Sequence, residues 1–405
     1  FFGQNLDFPA EEERLAAAKK AAKGSPFRAP TLLGLISRAK QNLERPSAVD
    51  DAELSAAFER YEANLAALAA LDFDDLVLCS VELLENNPGL AKDHRRACQC
   101  LLIDEYQDIN LAQYHLIRLL TSVRKPNLTV IGDPDQAIYG FRGADAAYFQ
   151  RFIKDFPKAK TVSLTQNYRS TGTILKVSAQ VIANNPGDGR PELVAGRQGP
   201  AKVTTAVLPT PRAEAEFVAA GIERLLGGTS HYALNSGRAD PTGNSNLSLG
   251  DVAVLYRLHT QAEPLAQALA QAGLPVQQAK IAPLHETDDL DFSAEKINLL
   301  TMHAAKGLEF EAVFIVGLEQ ELLPYRPPGK PPAHQVEEER RLFYVALTRA
   351  KRFLYLTRSR NRTLFGRGYK PLPSPFLDEI EKKLKAVEKL PDRAHKPRQL
   401  KLFEI

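Results

Sequence analysis

The sequence predicts an α/β fold: two regions of parallel sheet, with a helical stretch ahead of the first. Three observations predict it. From Glu11 to about Ala97 the chain is rich in Ala, Leu, Glu and Arg, with apolar residues spaced by three and four. From Cys98 to about Leu164, short apolar runs alternate with helical segments, as in a parallel sheet. A second alternating region starts near Gln166 and fills most of the remainder.

In the helical stretch, Phe58, Tyr61, Leu65 and Leu68 mark one apolar face, and Pro46-Ser47 and Asn87-Pro88-Gly89 break the pattern. Cys100 to Ile103 then reads as a buried strand with Asp104 and Glu105 at its carboxyl end. Ligands bind at that edge of an open α/β sheet. An Asp there can hold Mg²⁺ beside a nucleotide phosphate, and a Glu can orient or deprotonate a water. Two solvated acids in a loop are the plain alternative.

Leu128 to Ile131 is the next expected strand, running into Gly132-Asp133-Pro134-Asp135-Gln136. In the second region the expected strands are Val203–Val207, Val252–Tyr256, Ile297–Thr301, Val313–Val316 and Phe353–Leu356. Gly227 to Gly250, rich in Gly, Ser, Asn and Thr, reads as a surface loop. So does Pro324 to Pro332, which holds five prolines. From about Glu381 the pattern is a Lys-rich helix with a Pro-broken tail.

At 405 residues there is room for two or three domains. Hydrophobic residues at 44% and charged residues at 25% suit an ordinary globular protein, with no membrane-length apolar run and no signal-peptide pattern. Cys79, Cys98 and Cys100 lack metal-ligand spacing and suit a reducing compartment; the last two read as buried thiols. Net charge is only +3, so any nucleic-acid footprint must be a local patch.

Five blocks occur in order: Leu101-Leu102-Ile103-Asp104-Glu105-Tyr106-Gln107-Asp108, the Gly132 to Asp145 segment, Leu164-Thr165-Gln166-Asn167-Tyr168-Arg169-Ser170, Leu300-Thr301-Met302-His303-Ala304-Ala305-Lys306-Gly307-Leu308-Glu309-Phe310, and Glu338 to Ala350. With these the chain resembles the superfamily 1 DNA helicases of the UvrD, Rep and PcrA type, from about Leu33 to Leu377. The resemblance implies RecA-like motor domains. Residues 1–97 would be a helical insertion subdomain, 98–165 the carboxyl-terminal half of an incomplete first motor domain, and 166–405 the second.

Two departures accompany it. No Gly-x-x-x-x-Gly-Lys-[Ser/Thr] phosphate loop occurs; the single Gly-Lys pair, Gly329-Lys330, lies among prolines. The family also carries a large swivelling insertion, where this chain has a short connector, 275–296, with Asp288, Asp289 and Asp291. Both departures suggest an incomplete motor, which alone would be inactive.

By resemblance, Asp104 would ligate Mg²⁺, Glu105 would be the catalytic base and Gln136 would sense the γ-phosphate of ATP. Tyr168 would stack on adenine, Arg169 would reach the γ-phosphate, and Arg349 would be a second arginine finger. The alternative for Arg349 is a salt bridge with Glu338 or Glu339. Glu309 would accept a ribose hydroxyl. Phe141 and Arg142 would bind single-stranded DNA by stacking and phosphate contact, and Tyr256, Arg257 and His303 would line the same track. His259 stands where the family usually has Asn.

The implied function is an ATP- and Mg²⁺-dependent 3′ to 5′ helicase on single-stranded DNA and single-strand/duplex junctions. It would act in repair or replication, in the bacterial cytoplasm beside the nucleoid. The rival is a non-catalytic single-strand-binding or regulatory module descended from a helicase. A helicase–nuclease lacks support at the carboxyl end, and nothing in the sequence names a protein partner.

Overall fold

A computed structural model describes residues 9–388 apart from 122–125, 188, 228–246, 279–289, 292, 327–332 and 365. The connector's Asp288 and Asp289, most of the two predicted loops, Gly329-Lys330 and the tail beyond 388 lie outside the described residues. The chain divides into two compact units, Phe1–Lys160 and Thr161–Ile405. Among the described residues no helix is long and apolar enough to cross a membrane.

The first unit opens with helices α1 (Glu11–Ala21), α2 (Ala29–Gln41), α3 (Ala52–Ala67), α4 (Phe73–Asn86) and α5 (Pro88–Ala97). The apolar stripes of α1, α2 and α3 converge on Leu32, Ile36, Phe58, Tyr61 and Leu65. Asp51 and Asp72 cap α3 and α4 with side-chain oxygens, satisfying first-turn amides. Leu68, expected on the buried face, falls just past the end of α3 and is exposed.

Strands β1 (Leu101–Ile103) and β2 (Leu128–Val130) pair in parallel as a two-stranded sheet. Helices α6 (Leu111–Leu120) and α7 (Ala147–Asp155) complete the unit. One sheet face packs on Tyr106, Ile109, Tyr114 and Ile117. The other carries Leu102, 70% exposed, so the strand expected to be buried is covered on one side only. Cys79 and Cys98 are half-buried and Cys100 is exposed; all three are free thiols, against the expectation of burial at 98 and 100.

The second unit holds β3 (Gln166–Thr171), α8 (Gly172–Ile182), β4 (Val194–Arg197), β5 (Val203–Leu208), α9 (Pro211–Leu225), β6 (Val252–Tyr256), α10 (Ala262–Gln271), β7 (Val276–Gln278), β8 (Ile297–Thr301), β9 (Phe310–Ile315), α11 (Ala333–Thr348) and β10 (Ala350–Ser359). Short strands β11 (Arg362–Leu364) and β12 (Arg367–Tyr369) pair antiparallel, and β13 (Lys385–Glu388) ends the described chain. Seven strands form one parallel sheet in the order β13-β5-β10-β9-β6-β8-β7.

The α/β class with a parallel sheet is therefore the observed one. Val252, Val254 and Tyr256 pack on α9 and α10, while the alternate Ala253 and Leu255 are equally buried, so both faces of β6 are covered. The predicted Lys-rich helix near Glu381 is replaced by a 3₁₀ turn, Lys382–Leu384, and by β13. There Lys385 to Glu388 add to the edge of β5, and ladder hydrogen bonds outweigh helix propensity.

Candidate functional sites

In the first unit the acids stand where the strand pattern places them. Immediately after β1, Glu105 adopts a left-handed backbone, φ 51° and ψ 39°. For a residue with a Cβ this costs on the order of 1–3 kcal/mol, and such strain concentrates at functional sites. The Glu105 amide donates to Asp104 Oδ1 at 2.8 Å.

Gln107, which the sequence reading passed over, is buried and joins the two motif turns. Its Nε2 donates to Glu105 Oε2 at 2.5 Å, and its Oε1 accepts from the Asp133 amide at 3.1 Å. Asp133 Oδ2 in turn accepts from Gln136 Nε2 at 2.9 Å. Asp104, Glu105 and Gln136 are thus brought to one edge and wired by a single hydrogen-bond chain. Gly132 is required for it: a Cβ there would lie 2.3 Å from Gln107 Oε1 and 2.9 Å from Phe149.

Among the described residues no group of three His, Cys, Asp or Glu side chains could hold a metal ion. Mg²⁺ delivered with a nucleotide needs only one or two protein carboxylates, and the Asp104–Glu105 pair fits that requirement.

The same unit carries an aromatic and cationic surface. Arg142 lies over the rings of Tyr139 and Phe141, at 5.3 and 5.5 Å, and Phe141 is 62% exposed. Beside them a cavity of about 260 Å³ is lined by Gln41, Phe73, Asp74, Asn110, Tyr139 and Arg142, among others. Phe73 and Tyr139 are additions to the sequence reading. Tyr139, two residues before Phe141, carried a usable signal; Phe73, in a distant helix, carried none.

In the second unit, Tyr168, Arg169, Glu309 and Arg349 come together. Phe310 and Ala350 are register partners at the amino ends of β9 and β10, and the Phe310 amide donates to the Arg349 carbonyl at 2.9 Å. Arg169 Nε donates to Glu309 Oε2 at 2.5 Å, and Lys351 Nζ lies 2.9 Å from Glu309 Oε1. Lys351, also missed from sequence, and Arg169 hold the Glu309 carboxyl below its usual range against the opposing penalty of burial. Arg197 grips Glu311 with both terminal nitrogens and also donates to the Arg169 carbonyl. Tyr168, on the same strand, is 78% exposed.

Arg349 itself is 2% exposed, donating to the carbonyls of Val345 and Leu308 at 3.0 and 3.2 Å. Reaching a phosphate would require exchanging those acceptors. Glu339, one of the two acids considered for a salt bridge with Arg349, binds another arginine.

That other arginine is Arg257. Its Nη2 donates to Glu339 Oε1 at 2.7 Å and its Nε to Oε2 at 3.1 Å, under the ring of Tyr325. Two residues expected on the DNA track meet here. Tyr256 is fully buried in the core against α9 and α10. Arg257 is a clasp between the end of β6 and α11, its charge already neutralised.

His303 is half-buried in the turn after β8. Since β8 and β9 both run parallel to β6, residues 302–309 carry the chain from the carboxyl edge of the sheet back to its amino edge. His303 and Glu309 therefore sit near opposite ends of one segment.

Comparison with known proteins gives a consistent result. The model of the UvrD/REP helicase N-terminal domain matches residues 8–157, and that of the UvrD-like helicase C-terminal domain matches 162–281 and 277–361. The ATP-dependent DNA helicases PcrA of Staphylococcus aureus and Staphylococcus epidermidis are each 28% identical over 508 aligned residues, covering 88% of this chain and 69% of the relative. The solved C-terminal domain of a possible DNA helicase from Lactobacillus plantarum is 22% identical, covers 55% of this chain and 99% of its own, and has a TM-score of 0.35, too low to bear on the architecture.

Proposed function

We infer the function from one premise: the chain belongs to the UvrD-like helicase family. On that premise we propose an ATP-dependent translocase that moves 3′ to 5′ on single-stranded DNA, working in bacterial DNA repair or replication.

The observation that carries the reading is the Glu105–Gln107–Asp133–Gln136 chain around a strained Glu105. A binding module has no physical need to hold a carboxylate in a left-handed turn and wire it to a glutamine. A hydrolase has one: the base must face its water and the glutamine must sense the phosphate.

Mg²⁺, bound with ATP, would supply charge neutralisation at the phosphates. Asp104 would hold it. Glu105 would accept the proton of the attacking water, oriented by Gln107. In the second unit Tyr168 would offer its exposed ring to adenine, Glu309 would accept a ribose hydroxyl, and Arg169 would trade Glu309 for a phosphate oxygen. Arg349 would contribute after releasing its carbonyl partners.

DNA would meet Phe141, Arg142, Tyr139 and Phe73, with His303 near the track. Stacking tolerates any base, so little sequence preference follows. The Gly-x-x-x-x-Gly-Lys-[Ser/Thr] pattern does not occur in these 405 residues, so hydrolysis is proposed for the chain acting together with a phosphate loop.

Strand separation tests the polarity. The full gene product should unwind a duplex with a 3′ single-stranded tail and leave a 5′-tailed one intact. Binding of both without unwinding favours the non-catalytic module.

A further inference from the structure

Lys40 lies in α2 with no exposed surface, inside a cage of charges. Its Nζ is 2.7 Å from Glu62, 2.9 Å from Asp72 and 2.7 Å from Asp75, and 5.7 and 5.3 Å from the ring centres of Phe58 and Tyr61. The Tyr61 hydroxyl donates to Asp72 at 3.1 Å. Asp72 and Asp75 also close the first turn of α4 as a reciprocal cap.

Asp74 is tied as well, accepting from Ser37 at 2.6 Å and from Gln41 at 3.0 Å. Phe73, between these anchored acids, is 51% exposed and lines the cavity shared with Tyr139 and Arg142.

Burying charges in this way is costly, and apolar packing would join the helices as well. What the cage adds is a fixed direction for one helical turn. We propose that Lys40 is a positioning residue: its cage sets the first turn of α4 so that Phe73 stands as a stacking platform for a base in the cavity. This rests on the single-strand reading above.

The test uses the whole 405-residue chain and a fluorescent oligothymidylate, with affinity read by anisotropy. Lys40→Met removes the cation shared by three carboxylates, leaving Arg45 at 3.3 Å from Glu62 and 4.0 Å from Asp75 as the nearby charge, and can unfold the unit. Asp72→Asn is therefore the principal variant: it keeps the capping oxygen and removes one charge of the cage. Circular dichroism checks that it folds.

Phe73→Ala should weaken binding about ten-fold, the scale of one lost stacking contact. Asp72→Asn should weaken it about three- to ten-fold, and should add nothing in the Phe73→Ala background. A merely structural effect would persist in that background. Unchanged affinity in Asp72→Asn, or an undiminished loss on top of Phe73→Ala, overturns the positioning role. Phe73→Ala without effect overturns the platform. No binding by the unaltered chain overturns the single-strand reading and the proposal with it.

Discussion

The two sheets of this chain begin from the same kind of sequence, a short apolar run, and end in different surroundings. In the second unit every residue of β6 and β8 is buried. In the first, β1 and β2 form a two-stranded sheet whose outer face leaves Leu102 70% and Ile131 53% exposed. The candidate sites differ in step. Asp104 and Glu105 follow the carboxyl end of β1, where open α/β sheets bind ligands, while Arg169, Glu309 and Lys351 gather at the amino ends of β9 and β10. The first site is held by neutral and carboxylate hydrogen bonds between turns, the second by ion pairs. An apolar run therefore identifies a strand, but not what covers it, nor which of its ends carries the chemistry.

The largest test of that contrast is a matched truncation. Leu299→Ala, in the buried face of β8, should cost about 2–5 kcal/mol of unfolding free energy. Leu102→Ala should stay within about 0.5 kcal/mol. Urea denaturation of both measures the difference, and equal costs would mean that Leu102 is covered in solution.

A smaller effect is expected at the turns of the first unit. Gly132→Ala forces the new Cβ into Gln107 and Phe149, costing about 1–3 kcal/mol by overpacking. It should also slow hydrolysis more than it weakens DNA binding, because the Gln107 bridge breaks while Phe141 and Arg142 are untouched. Parallel loss of both would show that the bridge is only structural.

The smallest effect concerns charge in the second unit. Glu309 is held below its ordinary value by Lys351 and Arg169. For a depressed carboxylate the stabilising interaction is present above the unfolded value and is lost as pH falls through the folded one. Between pH 8 and pH 5 the cluster should be indifferent to pH. Lys351→Met should move the Glu309 titration upward, read by carbon-13 NMR of its carboxyl; an unmoved titration would put Lys351 outside the cluster in solution.

Much of this was legible in the sequence, and the failures have physical causes. Strands β5, β6 and β8 stand out because apolar runs bounded by turns and acids admit few alternatives. β13 did not, since Lys385 to Glu388 carry helix-forming residues and become a strand only through pairing with β5. Tyr256 looks accessible at the end of a strand, yet its side chain alternates onto the face that α9 and α10 cover. Gln107 could have been found, as it lies within the acidic motif itself. Lys40 could not: its three carboxylates are dispersed along α3 and the start of α4, and only folding brings them to one nitrogen.

The most direct measurement is ATP hydrolysis by the full gene product with and without single-stranded DNA, beside Glu105→Gln. The account predicts turnover stimulated by DNA and reduced by roughly 10²-fold or more in the variant, the scale of a lost general base, with DNA affinity retained. Turnover that ignores the Glu105 change, or DNA binding with no hydrolysis in the unaltered protein, would contradict it.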